Sequence, residues 1–167
     1  MLHNFRDSLA RSEQYSDDPL WEELYKTAFH NYAGMQKVGM DGWAQRGGID
    51  RVITLTSGKT ITVDEKVRAK DYGDILLEYW SNFEKKIPGW VAKDLACDFI
   101  AYAIMPARKC YLLNFQLLRE AWIKNHKDWV NQYGGKPAKN EGYTTVNVCI
   151  PVPVLFEAIS DAQIVSF

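Results

Sequence analysis

Four ionisable residues carry the chain's clearest chemistry: Asp64, Glu65 and Lys66 in succession, and Asp50 one strand and one turn earlier. Side chains alternate faces along a strand, so Asp64 and Lys66 share one face while Ile61, Val63 and Val67 share the other. If the two segments pair antiparallel, Asp50 near the start of the first is a neighbour of Asp64 near the end of the second. Two carboxylates and an ammonium then converge. Carboxylate oxygens of this kind hold Mg2+ or Mn2+. In phosphodiester cleavage such an ion activates water and neutralises charge on the phosphate. The lysine would position the attacking water or stabilise the developing negative charge.

The elements that must position these groups are a hairpin over residues 47–70. β-branched residues dominate the runs Ile49-Asp50-Arg51-Val52-Ile53-Thr54-Leu55 and Thr60-Ile61-Thr62-Val63, and Ser57-Gly58 supplies the reversal between them.

Ile49-Asp50 followed by Asp64-Glu65-Lys66 resembles the PD-(D/E)XK nuclease superfamily, the restriction-endonuclease-like fold. The preceding Gln45-Arg46-Gly47-Gly48-Ile49-Asp50 is similar to the Gly-Gly-x-Asp entry of its Mrr-like and Holliday-resolvase-like members. The stretch from Val63 to Trp80 looks like uncharacterised phage and bacterial members. The resemblance implies a mixed α/β (α+β) chain with an αβββαβ core, a mixed central sheet flanked by helices. It implies Asp50, Asp64 and Lys66 as catalytic residues, Mg2+ or Mn2+ as cofactor and DNA as partner. The middle position of the triplet is commonly apolar in that family because it faces the core, and here it is Glu65. Either that face is partly open, or a bulge shifts the register and Glu65 becomes the ligand. The family's first helix sometimes lends a glutamate to the metal, a role for Glu22 or Glu23, whose other reading is helix-start electrostatics. Gln45, Arg46, Arg68 and Lys70 are the candidate substrate contacts.

Length and composition suit one soluble domain spanning residues 1–167, with residues 1–18 as a polar arm. The net charge of -1 carries no global sign of nucleic-acid binding. Its distribution does, because residues 46–70 hold six Lys/Arg against three Asp/Glu, whereas residues 1–24 hold two against six. Cys97, Cys110 and Cys149 are widely spaced in apolar runs, which favours buried thiols in a reducing cytoplasm over disulfides or a zinc site. No apolar run approaches the ~20 residues that span a bilayer, so no membrane is expected. A homodimer is a further expectation.

Along the chain, Asp18-Pro19 opens a helix whose apolar stripe runs from Leu20 to Tyr32, ending at Gly34. Residues 34–48 read as a loop. Residues 74–81 read as a central strand, with Glu78 either a further acid near the site or a rim residue. A short helical segment over 90–95, strands over 98–105 and 109–113, and a long helix capped by Asn114 follow. Residues 134–142 read as a flexible loop, 143–150 as a late strand and 154–159 as a closing helix. Two other readings compete with the nuclease. One is a surface hairpin whose acids are paired by Arg46, Arg51 and Arg68; the other is a catalytically inactive nucleic-acid-binding or phage protein-interaction module of the same fold.

Overall fold

The computed structural model describes residues 14–39, 42 and 46–167. Gln45 and residues 1–13 of the polar arm lie outside the described residues. The chain is mixed α/β, with two separate sheets and two compact units. One unit contains the described residues up to Asp71, together with Asp94–Phe115 and Asp161–Phe167; the other contains Tyr72–Lys93 and Gln116–Ser160.

In the first unit, helix α1 spans Leu20–Ala28. The Asp18 carboxylate accepts the Leu20 N–H at 2.9 Å, tying down one of the orphan amides of the first turn. Trp21, Leu24 and Tyr25, at helical spacing, form the buried face. The helix stops at Phe29, whose backbone is extended, short of the expected Gly34. The residues beyond it form strand β1 (Tyr32–Lys37), antiparallel to β2 (Arg51–Leu55). Phe29 and Tyr32 still pack on the same core as the helix, which is why they extend its apolar stripe.

β2 turns at Gly58 (φ +81°) into β3 (Thr60–Val67), and β3 pairs in parallel with β6 (Phe99–Ile104). β6 forms a hairpin with β7 (Lys109–Asn114), and β10 (Ala162–Ser166) closes the edge. The order is β1-β2-β3-β6-β7-β10, antiparallel except at β3/β6. Ile53, Leu55, Ile61, Val63, Ala101, Ala103 and Leu112 point from one face of this sheet into a core with Trp21, Leu24 and Tyr25. The alternation of β3 is therefore anchored by burial, since a one-residue slip would turn Ile61 and Val63 out of that core.

The second unit holds β4 (Asp74–Asn82), β5 (Ile87–Pro88), α2 (Phe115–Tyr133, from Gln116 onward), β8 (Lys136–Asn140), β9 (Tyr143–Pro151) and α3 (Val152–Ala158). The strand expected to be central to the hairpin's sheet, β4, instead pairs with β9 in a four-stranded sheet ordered β5-β4-β9-β8. Its continuous apolar run satisfies burial here just as it would have there. The expected loop over 134–142 contains β8, which pairs with β9 throughout its length. On α2, Leu118, Trp122 and Trp129 are buried, and Tyr79 meets Trp122 edge-on at 5.7 Å. Among the described residues no helix is long and apolar enough to cross a membrane.

Gly89 follows β5 where the chain crosses close to β4, and a Cβ there would sit 1.8 Å from the Glu78 carbonyl oxygen. Backbone cannot yield as a side-chain tip would, so Gly89→Ala should destabilise the protein by about 2 kcal/mol or more. Urea denaturation read by tryptophan fluorescence checks this, and an unchanged midpoint contradicts the close approach.

Candidate metal and phosphate site

The β2/β3 pairing ends with Arg51 opposite Val63, and Asp50, directly before Arg51, lies close enough to Asp64 for their carboxyl groups to interact. The backbone reinforces this juncture: the Asp50 N–H donates to the Val63 carbonyl at 2.9 Å, and the Glu65 N–H donates to the Asp50 carboxylate at 2.8 Å. Gly48 (φ +66°) turns the chain into it, and a Cβ there would press on the tip of the Leu95 side chain at 2.9 Å. The left-handed backbone is what favours glycine there.

The Lys66 ammonium donates to Asp64 at 2.7 Å, with the Asp64 side chain 5% exposed and that of Lys66 31% exposed. Asp50 is exposed. The structure thus brings Asp50, Asp64 and Lys66 together, with a buried carboxylate behind an open one. Burial pushes the Asp64 carboxyl up to about 6; Lys66 pulls it down, and the neighbouring Asp50 charge and a hydrogen bond with Asp50 push it up further. Burial also pushes the nearby Cys97 thiol up to about 12, with the Asp64 charge adding to the effect.

Glu65 lies on the other face. Its carboxylate accepts from Arg51 Nε at 2.6 Å, from an Arg51 terminal nitrogen at 3.0 Å and from the Tyr25 hydroxyl at 2.8 Å. The side chains of this pair are 6% and 8% exposed. Arg51 also donates to the Ser16 carbonyl and lies 5.9 Å from the centre of the Trp21 ring. Burial raises the Glu65 carboxyl, while Arg51 and Tyr25 oppose that rise. Burial alone would depress Arg51, and its contacts with Glu65 more than reverse this. The face that carries Glu65 is therefore closed, and β3 stays in register with β6 through residues 63–67, without a bulge. Glu65 is not placed to join Asp50 and Asp64 as a ligand.

Glu23 is not brought to the site either. Helix α1 packs on the Glu65 face, and the exposed Glu23 carboxylate pairs with Arg108. Glu22 pairs with Lys26 at 3.0 Å. Arg46 is exposed at the turn before Gly48, Arg68 directly follows β3 with its N–H bonded to the Ala103 carbonyl, and Lys70 is exposed beyond it. Glu78 belongs to the other unit, where its carboxylate accepts the Trp90 N–H at 3.2 Å. Sequence reasoning did not single out Asp98. Its carboxylate accepts both the N–H (2.8 Å) and the hydroxyl (3.0 Å) of Thr62, pinning the start of β6 two residues before Asp64. An aspartate directly before an apolar strand was the available signal.

No family model and no curated protein sequence matches this chain.

Removing one partner of a buried ion pair strands the other's charge, at a cost of about 3 kcal/mol. Glu65→Gln should lose roughly that much, and the double replacement Arg51→Met with Glu65→Leu should recover most of it, as read by urea denaturation. Full stability of Glu65→Gln contradicts a buried pair.

Asp64 makes a separate prediction. Its folded value, about 6, lies above the 3.8 of a free aspartate, so the folded protein holds a proton that the unfolded chain has released. That contribution to stability is fully present below the unfolded value and is lost as pH rises through about 6. Relative to Asp64→Asn, the parent should lose up to about 3 kcal/mol between pH 4 and pH 7 at 1.36 kcal/mol per unit. A pH-independent difference between the two contradicts the raised value.

Proposed function

We propose that this protein is a metal-dependent nuclease that hydrolyses DNA phosphodiester bonds. Asp50 and Asp64 are the ligands for Mg2+ or Mn2+, and Lys66 stabilises the transition state. The observation that carries this reading is the pairing of an exposed and a buried carboxylate with Lys66 on one strand face, while Glu65 is taken up on the other. Two converging carboxylates in a partly desolvated setting suit a hard dication. Among the described residues no group of three or more His, Cys, Asp or Glu could hold a metal ion. That donor set still fits Mg2+, which commonly uses one or two carboxylates and fills its remaining positions with water and phosphate oxygens.

Such an ion supplies charge neutralisation at the phosphate and lowers the pKa of a bound water. The chain's own groups do the rest. Asp64 is held rigid by burial and by Lys66, and Asp50 by the Glu65 N–H. The Lys66 ammonium, beside Asp64, stabilises the charge that develops on the phosphate oxygens. Arg46, Arg68 and Lys70 follow the same stretch of chain and supply cations for the DNA backbone. The order α1-β1-β2-β3, with β3 next to a parallel β6, supports a restriction-endonuclease-like core. In this chain the excursion between those two parallel strands carries β4, β5 and a 3-10 turn (Trp90–Ala92) in place of the family's helix.

Cleavage of plasmid, branched and single-stranded DNA should require Mg2+ or Mn2+ and stop in EDTA. Asp64→Asn and Lys66→Ala should each lower the rate more than a hundredfold, equivalent to about 3 kcal/mol. Both should remain folded. Activity that persists in EDTA, or parental rates in both variants, overturns the proposal.

A further inference from the structure

In the second unit, β4 and β5 form a hairpin whose tip runs from Phe83 to Pro88, six consecutive exposed residues. Phe83 and Ile87, two large apolar side chains at one turn, are each 42% exposed. The tip is nevertheless ordered. Lys85 N–H donates to the Asn82 side chain at 2.8 Å, Phe83 N–H donates to the Thr144 carbonyl at 2.8 Å, and the Ser81 hydroxyl bonds the Pro88 carbonyl. Lys86 takes up a left-handed backbone (φ 54°) and sets its ammonium 3.4 Å from the centre of the Phe83 ring and 5.5 Å from that of Trp80. A cation over one face fixes the Phe83 ring while part of the residue stays open to solvent.

The tip carries two lysines against one acid, and that acid, Glu84, gives its carboxylate to the Thr144 N–H. Lys139 stands opposite Thr144 in the β8/β9 register, which adds a cation at the same end of this sheet. Pro88 on the edge strand removes a backbone donor and discourages strand addition. Rigid exposed aromatic and aliphatic side chains flanked by lysines match the chemistry of unpaired nucleotides: base faces stack on the ring and phosphates meet the ammonium groups. Intact duplex hides those base faces.

We propose that the Phe83–Lys86 tip binds nucleic acid with unpaired bases, single-stranded or at a fork. The choice of nucleic acid rests on the nuclease reading, and it narrows the substrate class from DNA in general to DNA with exposed bases.

The test is fluorescence anisotropy in EDTA with labelled single-stranded, forked and blunt duplex DNA of one sequence, and with anionic lipid vesicles as a competitor. Single-stranded and forked DNA should bind more tightly than duplex. Phe83→Ala should weaken that binding about tenfold and Phe83→Tyr should preserve it. The Lys85→Ala with Lys86→Asn variant should lower the log K against log salt slope by roughly one unit. Equal binding by Phe83→Ala and parent, equal affinity for duplex, or tip-dependent capture by vesicles instead of DNA overturns the proposal. Cleavage is measured separately with Mg2+. Phe83-dependent binding in a protein that never cleaves would sink the nuclease reading and leave the tip's role standing. Metal-dependent cleavage with Phe83-independent binding would do the reverse.

Discussion

The buried pair between Arg51 and Glu65 is the constraint on which the site depends. It sits under α1, completed by the Tyr25 hydroxyl and capped by the Trp21 ring. An ionised carboxylate in that position is costly unless it is paired and fully hydrogen-bonded. Glu65 meets that requirement with three donor contacts from two residues. Because side chains alternate along β3, fixing Glu65 inward fixes Asp64 and Lys66 on the opposite face. The same pair ties β2 to β3 through their side chains, beside the point where Asp50 meets Asp64.

The resulting site is asymmetric. Asp50 is open to solvent and Asp64 is enclosed, and burial raises the proton affinity of the Asp64 carboxyl before any ligand arrives. Lys66 compensates Asp64 in the resting protein at 2.7 Å. Groups held by backbone hydrogen bonds and by burial need little reorganisation when charge develops, which is where electrostatic catalysis draws its advantage.

Much of this was legible in sequence where local rules dominate. The β-branched runs and Gly58 gave the hairpin, and the period of two gave the shared face of Asp64 and Lys66. The partner of Glu65 was harder to read, because Arg51 adjoins Asp50 in sequence while facing the opposite way. Neither a bulge nor an open face was needed once a buried arginine was available. Helical spacing misled at Phe29 and Tyr32, which reach the same core from an extended chain. The membership of β4 in a second sheet was out of reach, since an apolar run reports burial and not the identity of the neighbouring strand. β8, rich in lysine and carrying a proline, resembled a loop for the same reasons that it serves as an edge.

The most direct measurement is a crystal structure of the protein soaked with Mn2+, located by its anomalous signal. The account predicts one strong peak bridging the Asp50 and Asp64 carboxylates, with Glu65 still bound to Arg51 and Tyr25. A peak coordinated by Glu65, or no peak at Asp50 and Asp64 at millimolar Mn2+, contradicts it.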